Sequence, residues 1–527
     1  MPLKANVNSK TIKDALVYLI ADANLPFTFT ERKSFKDFVR LLNEQAASLI
    51  TGRNSLTAHL YKIYAQSPEL IKLKLLSNKK YLAFTTNAWS APNVTAFMAV
   101  TVHFITEDFE MKDLTLAIPN IQGPHTGKNF VELFHDVLKS FNCEKKVCNI
   151  TADNESTNNT MAQRIGEIVP TFLPSSHLLG CAAHVINLGA KSGLAIFGGL
   201  DEEIQLLPTS SMDINFLVNK PSRARVNLKT VLKQIHGLSV YVRASAQRRE
   251  HFEGLVKVLQ PLVHGQKIHC LILDVETRWN STFEMFKRAL LLKTSCKMYC
   301  AKIPEAKQFL LTNEEWQQAE NFMNLLLPLS DATNFLCQSR YPSLNATLPV
   351  YMVLVEHLRG FCDGLYDQEQ LIQPANHIVQ KVDHYFWSAI EKPVYICAML
   401  LDPRVKMTFW KDNARFIQEK YSKSPKDILA TFHQVAKRFR EDITPAAPTP
   451  EIEESSSKGN LFQRSIFSTT KEVDSLDDEI KTYLREETKK SKKDILCYWK
   501  GRQDSFPTLA KMARCFLAIQ ATSAPSE

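Results

Sequence analysis

Two polar runs follow predicted strands and carry side chains that could bind metal ions. Asn87 comes directly after the β-branched and aromatic run 81–86, and Asp153 follows the similar run 146–151 by two residues. In open α/β sheets, ligand and metal groups collect at the carboxyl ends of strands, because neighbouring ends meet at one crevice. An ordinary turn or helix N-cap also explains Asp153 and Asn154. The spacing alone leaves both interpretations open.

Cys181 and His184 form a C-x-x-H pair whose residue types can bind zinc. A structural zinc ion commonly needs four ligands in two nearby pairs, and the sequence has no second pair within range. A buried thiol beside a core histidine is the alternative. The eleven cysteines lie at irregular spacings without a C-x-x-C pair, so we expect neither a disulfide framework nor a zinc ribbon.

The segment 219–260 carries nine basic and two acidic side chains, a net charge of +7. Arg225, Lys229 and Lys233 are four residues apart and share one face of a predicted helix, and Arg248 and Arg249 follow it. Such a stripe can neutralise several phosphates of a nucleic acid without reading its sequence. A solvated helix face is the alternative, and the pattern does not separate the two.

Trp279 lies in the run DVETRWNST (274–282), next to Arg278 and just before a predicted helix. An aromatic ring beside an arginine can stack on an unpaired base. A tryptophan at the start of a helix is also an ordinary core residue, so both interpretations stand.

The composition of the whole chain favours a globular and mainly helical protein. Its 527 residues are 45% apolar and 23% charged, which is unlike a disordered chain. Only 16 residues are glycine, well under the average of about 7%, which argues against many tight turns. The net charge of +9 is compatible with a nucleic-acid partner. No apolar stretch approaches the roughly 18 residues of a membrane span, so we expect an intracellular protein without a membrane partner.

The apolar periodicity predicts an α/β core surrounded by helices. Strands are predicted at 81–86, 96–105, 111–118 and 146–151, with a helix at 129–141, which together make a mixed sheet. The chain then reads as helical to about 440. The predicted regions are a helical N-terminal region (1–78), a first part of the core (79–196), a helical insertion (197–315), a helical remainder of the core (316–442), a Pro- and Ser-rich linker (443–470) and a C-terminal segment (471–527).

The motifs, taken in order, resemble those of the hAT (hobo/Activator-type) DNA transposases and their domesticated descendants. The resemblance covers nearly the whole chain. It is carried by FTTNAWSAPN (84–93), ITADNESTN (150–158), GCAAHVINL (180–188), TRWNST (277–282), LLDPRVK (400–406) and FPTLAKMARCFLAIQATSAPSE (506–527).

The resemblance implies a ribonuclease H-like core interrupted by a large helical insertion. It also implies DNA cleavage with two Mg²⁺ or Mn²⁺ ions held by three acidic residues. The first acid falls on Asn87, the second on Asp153, and the third is matched to Asp331, where a Glu is usual. An asparagine has no charge, and its NH₂ half cannot bind a cation. We therefore expect a degenerate catalytic site with little or no transposase activity.

The same resemblance assigns the remaining motifs. Cys181 and His184 lie near the active site rather than in a zinc finger, and Trp279 matches a position that can cap a flipped-out base. Basic residues of the insertion contact DNA, and the C-terminal segment forms a dimer. The residues concerned are Arg225, Lys229, Lys233, Arg248 and Arg249 for DNA, and Leu509, Ala513, Phe516 and Leu517 for the dimer.

Family members commonly begin with a BED-type zinc finger, and no Cys/His cluster precedes residue 143. We expect no zinc finger, and a dimerisation segment that is incomplete. The leading hypothesis is a nuclear, homodimeric DNA-binding protein with a degenerate catalytic centre. The alternatives are an active transposase and a helical dimerising scaffold that does not bind DNA.

Overall fold

The computed structural model describes residues 7–91, 94–122, 127–197, 226–262, 267–274, 279–338, 341–362, 369–441, 476–488 and 494–524. The chain forms two compact units. Unit 1 comprises residues 1–80 and 135–146, and unit 2 comprises residues 81–134 and 147–527. Arg225 and the predicted linker 443–470 lie outside the described residues.

Unit 1 is helical in its described N-terminal part. It contains α1 (Ser9–Asp22), α2 (Lys33–Leu42), α3 (Glu44–Ser48) and α4 (Arg53–Leu70), with a 3₁₀ turn at Phe27–Glu31 and a π-helical turn at Ile71–Leu76. Helix α1 begins after Asn8, whose side chain accepts hydrogen bonds from the backbone N–H groups of Lys10 and Thr11 and so satisfies donors that the helix leaves free. Its apolar face packs Leu16, Val17 and Ile20 around Leu56 of α4.

Unit 2 is built on a six-stranded mixed sheet, which confirms the predicted fold class. The strands are β1 (Leu82–Ser90), β2 (Ala96–Ile105), β3 (Met111–Ala117), β4 (Asn120–Ile121), β5 (Val147–Ala152) and β6 (Leu178–Gly180). The order is β3-β2-β1-β5-β6, with β4 paired to β2. Strands β1, β2 and β3 are antiparallel neighbours, whereas β5 runs parallel to β1 and β6 parallel to β5.

Two details of the sheet differ from the prediction. Strand β1 continues to Ser90 because it pairs with β2 along its whole length, so Asn87 lies inside the strand rather than after it. Strands β4 and β6 were not predicted, since two or three residues show no periodicity.

Helices surround the sheet and form most of the core of unit 2. They are the first part (127–134) of α5 (Gly127–Ser140), whose last part belongs to unit 1, and α6 (Ser156–Ile168), α7 (Pro174–His177), α8 (Ala182–Leu194), α9 (Leu228–Arg243), α10 (Ala246–Leu259), α11 (Trp279–Leu291), α12 (Lys293–Lys302), α13 (Asn313–Leu336), α14 (Leu344–Cys362), α15 (Glu369–Ile390), α16 (Pro393–Leu400), α17 (Thr408–Asp412), α18 (Ala414–Tyr421), α19 (Pro425–Glu441), α20 (Leu476–Arg485), α21 (Ile495–Arg502) and α22 (Pro507–Phe516). One continuous apolar cluster runs from Ala83 of β1 to Ala521 after α22. No helix in the described part of the chain has the length and apolarity to cross a membrane.

The sheet also encloses a buried histidine. His103 of β2 is 1% exposed, and its Nε2 lies 2.9 Å from the Thr85 hydroxyl of β1. Burial disfavours the charged imidazolium and lowers the pKa of His103 to about 3.

This histidine should make unit 2 sensitive to mild acid. An unfolded histidine has a pKa near 6.5, so below that pH the unfolded chain binds a proton that the folded sheet does not. Stability is therefore lost as the pH falls from about 6.5 towards 3. From pH 7 to pH 5, His103 alone should remove about 2 kcal/mol from the free energy of unfolding. Urea unfolding of wild type and His103→Gln at both pH values tests this. The prediction fails if both proteins lose the same stability on acidification.

Candidate active site

The first two predicted site residues follow the end of the parallel pairing of β1 with β5. The last register pair is Thr85 with Thr151. Asn87 lies two residues further along, still inside β1, and Asp153 lies two residues after Thr151, in the turn that follows β5. Both residues therefore come directly after the last paired residues of two neighbouring parallel strands.

The turn after β5 fixes the Asp153 carboxylate. Asn158, buried in α6, donates from its Nδ2 to the Asp153 Oδ1, and also to the Asp153 carbonyl at 3.3 Å. The backbone N–H of Glu155 points at the same Oδ1 from 3.4 Å. The carboxylate is half-buried and held at the start of α6 by these hydrogen bonds.

The ends of β5 and β6 are tied together by Asn154 and Cys181. The Asn154 Nδ2 donates to the Cys181 carbonyl at 3.3 Å, and the Cys181 N–H donates to the Ala152 carbonyl at 2.7 Å. Asn154 packs so closely on Gly180 that a Cβ at Gly180 would overlap the Asn154 amide group. A larger residue at position 180 would therefore push this side chain away from the Cys181 carbonyl. The sequence reasoning did not single out Gly180, although a glycine directly before the C-x-x-H pair was visible.

A cleft of about 270 Å³ opens beside this turn. Asp153, Asn154 and Gly180 line one side of it, and residues that follow one another along α15 and the turn after it line the other. The latter are His384, Tyr385, Ser388, Ala389 and Lys392. The Lys392 ammonium donates to the Leu178 carbonyl of β6 at 2.6 Å. The sequence reasoning missed these residues, because no local pattern indicates that α15 packs beside the end of β6.

The C-terminal tail lies against the same edge of the sheet. The Thr151 hydroxyl donates to the Gln520 carbonyl at 2.9 Å, and the Ala182 N–H donates to the Ala521 carbonyl at 2.8 Å. The Ser523 N–H donates to the Cys181 sulfur at 3.3 Å. The Cys181 thiol is therefore buried and serves as an acceptor for the tail.

The other half of the C-x-x-H pair and the third predicted acid are placed differently. His184 is half-buried in the first turns of α8. Asp331 is exposed on α13 and does not line the cleft. Within the described ranges, no group of three or more His, Cys, Asp or Glu side chains is arranged to hold a metal ion. The residues seen near Asp153 do not form a two-metal ligand set.

Trp279 occupies a core position. It begins α11, is 5% exposed and packs against Phe283 with ring centroids 6.4 Å apart. It does not line the cleft.

The predicted basic surface is partly engaged within the chain. Lys229 is exposed and Lys233 half-buried on α9. On α10 the Arg248 guanidinium stacks 4.0 Å from the centre of the Tyr241 ring, and Arg249 pairs with Glu253 at 2.8 Å. Such an exposed pair is weak, so Arg249 can exchange this partner for a phosphate at little cost.

The four residues predicted to form a dimer interface are buried inside unit 2. Leu509 and Ala513 are 0% exposed, Leu517 is 1% and Phe516 is 8% exposed. Phe516 packs against Phe439 of α19 at 5.4 Å between ring centroids, and the Leu509 N–H donates to the buried Glu479 carboxylate at 2.8 Å. Apolar spacing on α22 thus reflects the core of this chain, and in this conformation these side chains offer no surface to a second copy.

Comparison with known proteins gives three family matches along the chain. Residues 85–173 match the ZBED1 RNase-like domain, residues 179–325 match the ZBED1 RNase-like helical domain, and residues 479–527 match the hAT family C-terminal dimerisation region. The first contains most of β1, all of β5 and the Asp153 turn, and the third contains the tail beside them.

Individual relatives are distant but align over almost the whole chain. A Talaromyces stipitatus protein named "Putative transcriptional regulator tpeD" is 25% identical over 100% of this chain, and a Zea mays "Putative AC transposase" is 24% identical over 95%. The human "Zinc finger BED domain-containing protein 4" is 20% identical over 98%. The chain spans 59% of the length of the first two relatives and 41% of the third.

Proposed function

The chain belongs to the hAT transposase family, and from this premise we propose that it is a nuclear, self-associating DNA-binding protein with a degenerate transposase site. The observation that carries the proposal is the position of Asn87. It lies in β1, two residues after the last residue paired with β5, where the family resemblance expects the first of three metal-binding acids.

An asparagine at this position weakens metal binding for a simple electrostatic reason. Two-metal cleavage of DNA needs carboxylates to hold two divalent cations close together. The Asn87 amide offers one neutral oxygen, and its NH₂ group repels a cation. Losing one bridging carboxylate should cost about 4 kcal/mol of transition-state stabilisation, on the order of a thousandfold in rate.

The third acid is the least certain in position. Asp331 was matched by the resemblance but is exposed on α13 and does not line the cleft. We therefore treat Asp331 as a candidate that only a restored activity can test.

Restoring the first acid should restore cleavage. We expect wild type to cut hairpin or terminal-repeat DNA at background rate with Mg²⁺ or Mn²⁺, and Asn87→Asp to cut it on the order of a thousandfold faster. A gel assay with end-labelled DNA measures both. In the Asn87→Asp background, Asp331→Asn tests the third acid by loss of the restored cleavage, and Asn87→Ala is the matched inactive control.

DNA binding is measured on the same samples by fluorescence anisotropy. Wild type and Asn87→Asp should bind equally, with affinity falling as salt rises, because phosphate contacts release counterions. Turnover by wild type would instead make the chain an active transposase. If neither protein shows salt-dependent DNA binding, the remaining hypothesis is a dimerising scaffold that does not bind DNA.

Self-association is proposed from the match of residues 479–527 to the hAT dimerisation region. We expect light scattering to give twice the 59.9 kDa mass of one chain. Because Leu509 is enclosed by its own chain, Leu509→Ala should lower the free energy of unfolding by about 2–5 kcal/mol and leave the mass of the folded protein unchanged. A monomeric mass of wild type at high concentration contradicts self-association. If Leu509→Ala is monomeric but as stable as wild type, Leu509 belongs to the dimer interface and not to the core.

A further inference from the structure

One face of α15 carries a row of polar and basic side chains that leads to the candidate site. His377, Lys381, His384 and Ser388 recur every three or four residues, and this spacing places them on one helix face. All four are exposed. His384 and Ser388 line the cleft beside Asp153, and Lys392, in the turn after α15, continues the row along the cleft wall.

Two acidic side chains near this row are already paired elsewhere. Asp383 accepts from the Tyr421 hydroxyl and pairs with Lys420, each at 2.5 Å. Glu391 pairs with Lys423 at 2.8 Å. Neither of these carboxylates therefore cancels the positive charge of the row, and Asp153 on the opposite wall is the carboxylate that lines the cleft with it.

Lys392 is half-buried, whereas the other four members of the row are exposed. Its Nζ donates to the Leu178 backbone carbonyl, and it has no carboxylate partner within 4.0 Å among the described residues. Burial disfavours its charged form and lowers the pKa of Lys392. An anion in the cleft would offset this cost, because it pairs with a cation that has already lost much of its water.

The shape of the cleft selects the ligand. A volume of about 270 Å³ lies at the small end of pockets that hold one small molecule. It can admit a nucleotide unit but not a duplex, whose major groove alone is about 12 Å wide. Tyr385, half-buried in the cleft wall, supplies a ring on which a base can stack.

We propose that this face of α15, with Lys392, is a track for a single DNA strand, whose phosphates pass Lys381 and His384 and reach Lys392 beside Asp153. The track deepens the proposed DNA-binding function and rests on it. It assigns strand guidance to α15, which is separate in sequence from the basic segment 219–260.

The test compares two pairs of lysine substitutions. The track variant is Lys381→Gln with Lys392→Gln, in which the new amide at position 392 keeps an N–H donor for the Leu178 carbonyl. The control is Lys426→Gln with Lys437→Gln, two exposed positions on α19 that do not line the cleft. Both pairs lower the net charge by two through the same chemical change. Binding of a fluorescent oligothymidylate is followed by anisotropy over a salt series, with thermal unfolding as the check of folding.

The track variant should bind the oligonucleotide about tenfold or more weakly. The slope of log K against log salt concentration should be shallower by about 1.4, because each lost phosphate contact lowers the slope for a single strand by about 0.7. The control should keep the wild-type slope. Equal effects of both pairs overturn the track, while salt-dependent binding by wild type still upholds the proposed function. If wild type shows no such binding, both proposals fail. If the double variant unfolds, Lys381→Gln alone must lower the slope by about 0.7, and an unchanged slope overturns the track.

Discussion

The parallel pairing of β1 with β5 is the constraint on which the candidate site depends. This register pairs Thr85 with Thr151, two residues before Asn87 and Asp153. A slip of one residue would turn one of the two threonines to the other face of the sheet and would shift Asn87 relative to the turn that carries Asp153. The C-terminal tail secures that edge through three hydrogen bonds, to Thr151, to the backbone of Ala182 and to Cys181. The strand ends that carry the candidate site residues are therefore also held in place by the tail.

The C-terminal segment consequently has two roles that its sequence does not separate. Residues 479–527 match a dimerisation region, yet Leu509, Ala513 and Leu517 are enclosed by helices of the same chain. Burying a leucine stabilises by a similar amount in a core and in an obligate interface. The segment is thus first a part of the fold of unit 2, and any contact with a second copy has to use its outward-facing residues.

Sequence reasoning succeeded where the signal is local. Strand periodicity found β1, β2, β3 and β5 and with them the mixed sheet, and the ordered motifs indicated the family. It failed where the signal is tertiary. Nothing in the sequence near Lys392 indicates that its side chain contacts the Leu178 carbonyl. The need for a glycine at position 180 follows only from the packing of Asn154 against it. Trp279 had two interpretations, and its burial against Phe283 favours the core one.

We propose that Asn87 and Asp153 form one site that lacks a charge. Calorimetric titration with Mn²⁺ of wild type, Asn87→Asp and the double variant Asn87→Asp/Asp153→Asn tests this proposal. We expect clearly tighter Mn²⁺ binding by Asn87→Asp than by wild type, and loss of that gain in the double variant, because two adjacent carboxylates are needed. Equal Mn²⁺ affinity of wild type and Asn87→Asp, or a gain that survives removal of Asp153, would contradict it.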